Sequence, residues 1–217
     1  MITKRFLWIS LYALAMALLE AVVVAYLRGL HSGPTVEIGR VGYGTMELWR
    51  EVATIVMLVA VGWLAGRHWL DRLAYGLFTF GLWDIGYYLW LKLFLDWPQT
   101  LFDWDVLFLI PLRWWGPVLS PVLIALLICL NAVLAVVRFE RGIPLHFTVT
   151  RVGLVTAGVL LALVVFMLDT LQALLTGRSD WDSLHPETFQ WPLFLVALTL
   201  MALPSLLTTW PGASNDR

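Results

Sequence analysis

The chain has 217 residues, of which 60% are apolar and only 13% charged, with a mean hydropathy of +0.82. Soluble globular domains sit near roughly 45–50% apolar and about 25% charged, so this composition excludes a soluble fold and specifies an integral membrane protein. A net charge of −1 argues neither for nor against anionic partners, the chain has no basic nucleic-acid stripe, Walker A loop or HExxH motif, and the single cysteine, Cys129, excludes an intramolecular disulfide or a cysteine-built metal centre.

A short basic start, with Lys4 and Arg5, leads into an apolar run from Phe6 to Leu27. A cleavable signal has an apolar region of only about 7–15 residues and a small-residue exit. This run is longer, contains Glu20 and lacks that exit, so it reads as a retained first span over 6–28, ending at Arg28. The connector 29–46 holds Gly39-Arg-Val-Gly-Tyr-Gly44. Glycines ahead of a helix N-terminus can cradle phosphate, but Glu47 and Glu51 in the first two turns repel an anion, so the connector reads as plain loop.

The second span, 47–66, opens with Glu47-Leu-Trp-Arg-Glu51, which puts Glu47, Arg50 and Glu51 on neighbouring faces of one turn. Gly62 and Gly66 form a small-xxx-small pair, read as a helix-packing notch. After the basic turn 67–72, the third span, 73–95, carries Asp84 near its middle, Tyr87 and Tyr88 one turn on, and Lys92 two turns on. In residues 96–117, Trp97, Trp104, Trp114 and Trp115 suit a membrane–water interface, and Thr100 and Asp103 have capping-box spacing. That combination predicts a short interfacial or re-entrant helix over 102–110 on the outer face, too short to cross.

The fourth span, 118–137, is uncharged but holds Asn131, and a second basic loop follows over 138–151. The fifth, 152–175, carries Asp169 and Gln172 on one face, with Thr176 just beyond. A loop with Asp180, Asp182, His185 and Glu187 precedes the sixth span, 191–210, where Pro204 predicts a kink. The expected architecture is therefore all-α: a polytopic bundle of six transmembrane helices with one short interfacial helix, forming a single integral membrane domain over 1–217.

An even number of spans puts both termini on one side. That side carries Lys4, Arg5, Arg67, Arg72, Arg138, Arg141, Arg151 and Arg217, eight of the 14 basic residues, but only Asp71, Glu140 and Asp216 of the 15 acids. The positive-inside rule makes it cytoplasmic, so the expected location is a cell membrane of the bacterial inner-membrane type, multi-pass, with both termini inside.

An ionisable group within a span costs several kcal/mol unless it faces a partner or a wet cavity, so intramembrane acids mark a candidate site. Glu20 and Asp84 each lie about 12 Å below Arg28 and Lys92 on their own helices, and Glu51 and Asp169 fall at comparable depth on two others. The expected binding residues are Glu20, Arg28, Arg50, Glu51, Asp84, Tyr87, Tyr88, Lys92, Asp169 and Gln172, converging on one outward-opening cavity. The first and third spans also align without gaps, Leu-Leu-Glu20…Tyr-Leu-Arg28 against Leu-Trp-Asp84…Trp-Leu-Lys92, a match that an internal repeat would leave and that two short apolar segments also reach easily by chance.

Buried ion pairs that only fix helix register are the competing account of these acids. A carboxylate-only site suits calcium, magnesium or manganese. Neither His31 nor His185 has helical ligand spacing to an acid, and no span contains a histidine for haem, so the sequence specifies no metal or cofactor. The function expected is binding or moving a small cation, proton or polar headgroup, as a small transporter or a membrane subunit of a complex. The alternative is a membrane-embedded enzyme acting on an isoprenoid or phospholipid, with Asp84 or Glu20 as the catalytic acid/base and aromatic faces stabilising positive charge. The expected partners are the lipid bilayer, a small cation or lipid-like ligand, and other membrane subunits.

Overall fold

The computed structural model describes residues 2–31, 43–143, 147–177, 186 and 188–209. In chain order these form α1 (Ile2–His31), α2 (Tyr43–Ala65), α3 (Trp69–Leu95), β1 (Trp104–Phe108), β2 (Trp114–Pro117), α4 (Leu119–Glu140), α5 (Val149–Leu175) and α6 (Trp191–Thr209). The connector glycines from Gly39 to Gly42 and the loop residues Asp180, Asp182 and His185 lie outside the described residues, as does Glu187. Four helices, α1, α2, α4 and α5, are long and apolar enough to cross a membrane, and α6 is a shorter apolar helix. The chain is thus a predominantly helical membrane protein. α3 is as long as α5, but its apolar run is diluted by Asp84, tyrosines and glycines.

The helix expected over 102–110 is absent. In its place β1 and β2 form an antiparallel hairpin, pairing Trp104 with Pro117, Asp105 with Gly116, Val106 with Trp115 and Phe108 with Trp114, with an irregularity between Val106 and Phe108. The capping-box spacing does close hydrogen bonds, but around a turn. The Thr100 hydroxyl donates to Asp103 Oδ1 at 2.7 Å, the Gln99 N–H to Asp103 Oδ2 at 2.7 Å, and the Asp103 N–H to Thr100 O at 3.1 Å. Downstream, a β-branched and aromatic run, broken by Pro111, fits a pleated ribbon better than a helix.

The chain forms two compact units. The first comprises Met1–Asp103 and Pro121–Pro144, and the second Trp104–Ser120 and Leu145–Arg217. In the first, α1 and α2 both pack along α3. Phe6 of α1 meets Tyr75 and Phe78 of α3 at ring-centroid distances of 5.4 and 4.8 Å. α2 approaches α3 at backbone contact, as the Gly62–Gly66 notch predicts: a Cβ on Gly62 would lie 2.7 Å from Arg72 O and 2.8 Å from Gly76 Cα. The Arg72 guanidinium then stacks 3.9 Å above the Trp63 ring. From α4, Ala132 and Val136 join Ile9, Ala74 and Tyr75 in the buried core.

In the second unit α5 and α6 pack together, with Gly158 against Ala197 and Met201. The hairpin is fastened to α5 by the Thr170 hydroxyl, which donates to Arg113 O at 2.8 Å, and by the near-parallel stack of Trp114 on Phe166 at 6.2 Å. Phe189 and Phe194 extend that aromatic cluster.

Candidate functional site

Among the described residues, the densest group of charged side chains within the apolar helices lies on α1 and α2 of the first unit. Glu20 is 6% exposed. Arg50 of α2 donates from one terminal nitrogen to Glu20 Oε2, and the Thr54 hydroxyl donates to Glu20 Oε1, so both carboxylate oxygens are engaged. The other edge of the guanidinium serves Glu47, with Nε at 2.9 Å and the second terminal nitrogen at 2.7 Å from Glu47 Oε2. Arg50 is thus clamped between a carboxylate on its own helix and one on α1. Glu51, 7% exposed, and Tyr87 of α3 lie within electrostatic reach of that guanidinium.

Helix geometry explains the assembly. Residues 47, 50, 51 and 54 fall on one face of α2, three or four apart, so the stripe Glu47–Arg50–Glu51–Thr54 is a property of local sequence. Helical side chains lean toward their own N-terminus. Glu20 on α1 and Thr54 on the oppositely running α2 therefore lean toward each other's level. The α2–α3 register agrees. Gly62 meets Gly76 and Gly66 meets Arg72, an antiparallel pairing that carries Arg50 to the level of Tyr87 and Tyr88.

The acids of α1 and α3 are staggered rather than level. Phe6 contacts Tyr75, and Ala17 lies beside Gly86, both pairs 69 positions apart. Two equal offsets mean that α1 and α3 run side by side in the same direction. They place Asp84 level with residue 15, about 7.5 Å from the level of Glu20. The gapless alignment of the first and third spans is therefore not the register in which these helices pack. Asp84 is half-buried, within electrostatic reach of Cys129 on α4, and Tyr88 beside it is buried, with its ring 5.1 Å from that of Tyr87.

Lys92 is committed elsewhere. Its Nζ lies 2.7 Å from Asp96 Oδ1 in an exposed i,i+4 pair at the end of α3, where the Lys92 ammonium and the Gln99 amide hold the Asp96 carboxyl below its ordinary range. Arg28 lies within α1, and its side chain is outside the described residues, as is that of His31. Asp169 and Gln172 belong to α5 in the second unit, the first half-buried and the second exposed.

Two residues of the Glu20 cluster escape the expected set. Thr54 was legible as the next step of the 47–50–51 stripe, seven residues after Glu47. Glu47 was visible but reads equally well as an N-terminal acid complementing the helix dipole. Among the described residues, no three of His, Cys, Asp and Glu group closely enough to hold a metal ion. In this arrangement one guanidinium is shared by two carboxylates with a third in electrostatic reach, all on helices long and apolar enough to cross a membrane. No family model, curated protein or solved structure matches this chain.

Proposed function

We propose that this protein binds and moves a proton or a small monovalent cation at the Glu20 cluster, as a small transporter or as a membrane subunit of a larger complex. The observation that carries the proposal is the imbalance of charge around Arg50. Among the described residues, Glu20 and Glu47 share the Arg50 guanidinium with Glu51 in electrostatic reach, and Lys92 pairs with Asp96. A cluster serving only as a register lock needs one acid per cation. Excess carboxylate in an apolar layer is costly until a proton or cation neutralises it. The acid grouping favours a single positive charge over a divalent ion, which takes six or more oxygen ligands. On the charge distribution of the loops, the cluster faces the outside of a cell membrane, with both chain termini inside.

The test is flux in liposomes containing the purified protein, driven by a membrane potential and read by an internal pH dye, with labelled sodium and potassium uptake in parallel. The wild-type protein should carry one of these ions. Glu20→Gln should lower the rate at least about tenfold while leaving folded yield near normal, because Glu47 still holds Arg50. Rates equal to those of protein-free liposomes for all three ions would end the proposal.

A further inference from the structure

α1 and α2 are neighbours that scarcely touch. Each packs along α3, and far fewer of their residues approach one another. Among the described residues, a carboxylate joins them: Glu20 receives both Arg50 and Thr54 of α2. At the Phe6 end, by contrast, both helices are fixed to α3, α1 through Phe6 on Tyr75 and Phe78, and α2 through Gly62 on Gly76. Among the described residues, the Arg50 end of α2 is tied to α1 through the Glu20 carboxylate, while α1 stays on α3 through the Trp90 indole, which donates to Leu14 O at 3.0 Å.

Release of that group leaves no donor stranded. Arg50 keeps Glu47, three residues away on its own helix, and the Thr54 hydroxyl can turn to the carbonyl of Arg50 one turn back. Neutralising Glu20 ends its ion pair with Arg50 and turns the Thr54 bond into a neutral one, and a charge-assisted hydrogen bond is roughly twice as strong as a neutral one.

We infer that Glu20 is a clasp: when a proton or cation neutralises it, the Arg50 end of α2 parts from α1 and opens a path between the two helices. This rests on the reading of Glu20 as the loading group. The charged and titratable groups facing the clasp are Arg50, Glu47 and Glu51 from α2 and Tyr87 from α3, with Asp84 about 7.5 Å away in level. The Cys129 thiol of α4 lies beyond, near Asp84.

The experiment measures a distance. In a Cys129→Ala background, spin labels at Tyr26→Cys and Met46→Cys report the clasp end, since both side chains are exposed. A second pair at Leu11→Cys and Leu77→Cys reports α1 against α3. In lipid nanodiscs, the first distance should lengthen by about half a helical turn, roughly 3 Å, as pH falls from roughly 9 to 4, a range bracketing carboxyl titration. Glu20→Gln should show the longer distance throughout, and the second pair should not move. If Glu20→Gln fails to fold, the wild-type pH series decides alone. An unchanged first distance at every pH overturns the clasp. Ion flux with an unchanged distance removes the clasp and leaves the site. A distance that opens as expected, in a protein that carries no ion, keeps the clasp and removes transport.

Discussion

Asp71 illustrates how one carboxylate can organise a turn. It accepts the Arg67 N–H at 2.9 Å and the His68 N–H at 3.2 Å, satisfying donors at the start of α3 that the helix itself leaves open. Partial burial pushes its carboxyl up, but the backbone bonds from Arg67 and His68 outweigh that and hold it below the ordinary range. A depressed folded-state value means the cap stabilises fully above the unfolded carboxyl range and is lost as pH falls through the folded one. Asp71→Ala should therefore cost about 1 kcal/mol at neutral pH. Thermal melts of the variant and the wild type should converge under acid conditions. Residue-scale features of this kind were partly legible. The polar stripe beginning at Glu47 follows from spacing alone. The meeting of Glu20 with Arg50 joins positions 30 apart on two helices, and no local pattern in either contains it.

At the scale of elements, α2 and α3 approach at backbone contact, and the bare backbone of Gly62 permits it. A side chain there would strike Arg72 O and Gly76 Cα, backbone atoms that cannot swing away. Gly62→Leu should separate the helices, costing about 1–3 kcal/mol or more and lowering the melting temperature of the purified protein. Gly153→Ala on α5, where a Cβ meets nothing within 4 Å, should be tolerated. The glycine notch was readable from sequence because small residues four apart on one face have few other uses in an apolar helix. The hairpin was not readable in the same way. Thr100 and Asp103 satisfy a spacing common to helix starts and tight turns, and only the following run distinguishes them. Val106 and Phe108 pair across the ribbon with Trp115 and Trp114, a relation set by strand register that a helix-based reading never tests.

For the whole molecule, the helix that organises the first unit is the one least able to enter a membrane by itself. α3 gathers α1 and α2, yet four other helices are the ones long and apolar enough to cross unaided. Asp84 alone adds about 2.5–3.5 kcal/mol to insertion at a helix centre. An insertion assay with glycosylation markers should find α3 crossing poorly as an isolated segment and efficiently when α1 and α2 precede it. Equal insertion in both contexts would contradict a role for its neighbours. Predominant helicity and membrane character were legible from composition, because apolar fraction and span length are bulk properties. The level at which each acid sits was not, since depth counted along one helix ignores the offset of 69 positions by which α1 and α3 actually pack.

The hairpin carries one more consequence, concerning its edges. Among the described residues the sheet has two strands, so each strand turns one edge away from its partner. An edge N–H or C=O group left bare in hydrocarbon costs several kcal/mol, and a bilayer offers nothing to bond with it. Wherever residues 104–117 meet hydrocarbon, their edge groups therefore need polar cover of the kind that the Thr170 hydroxyl gives Arg113 O.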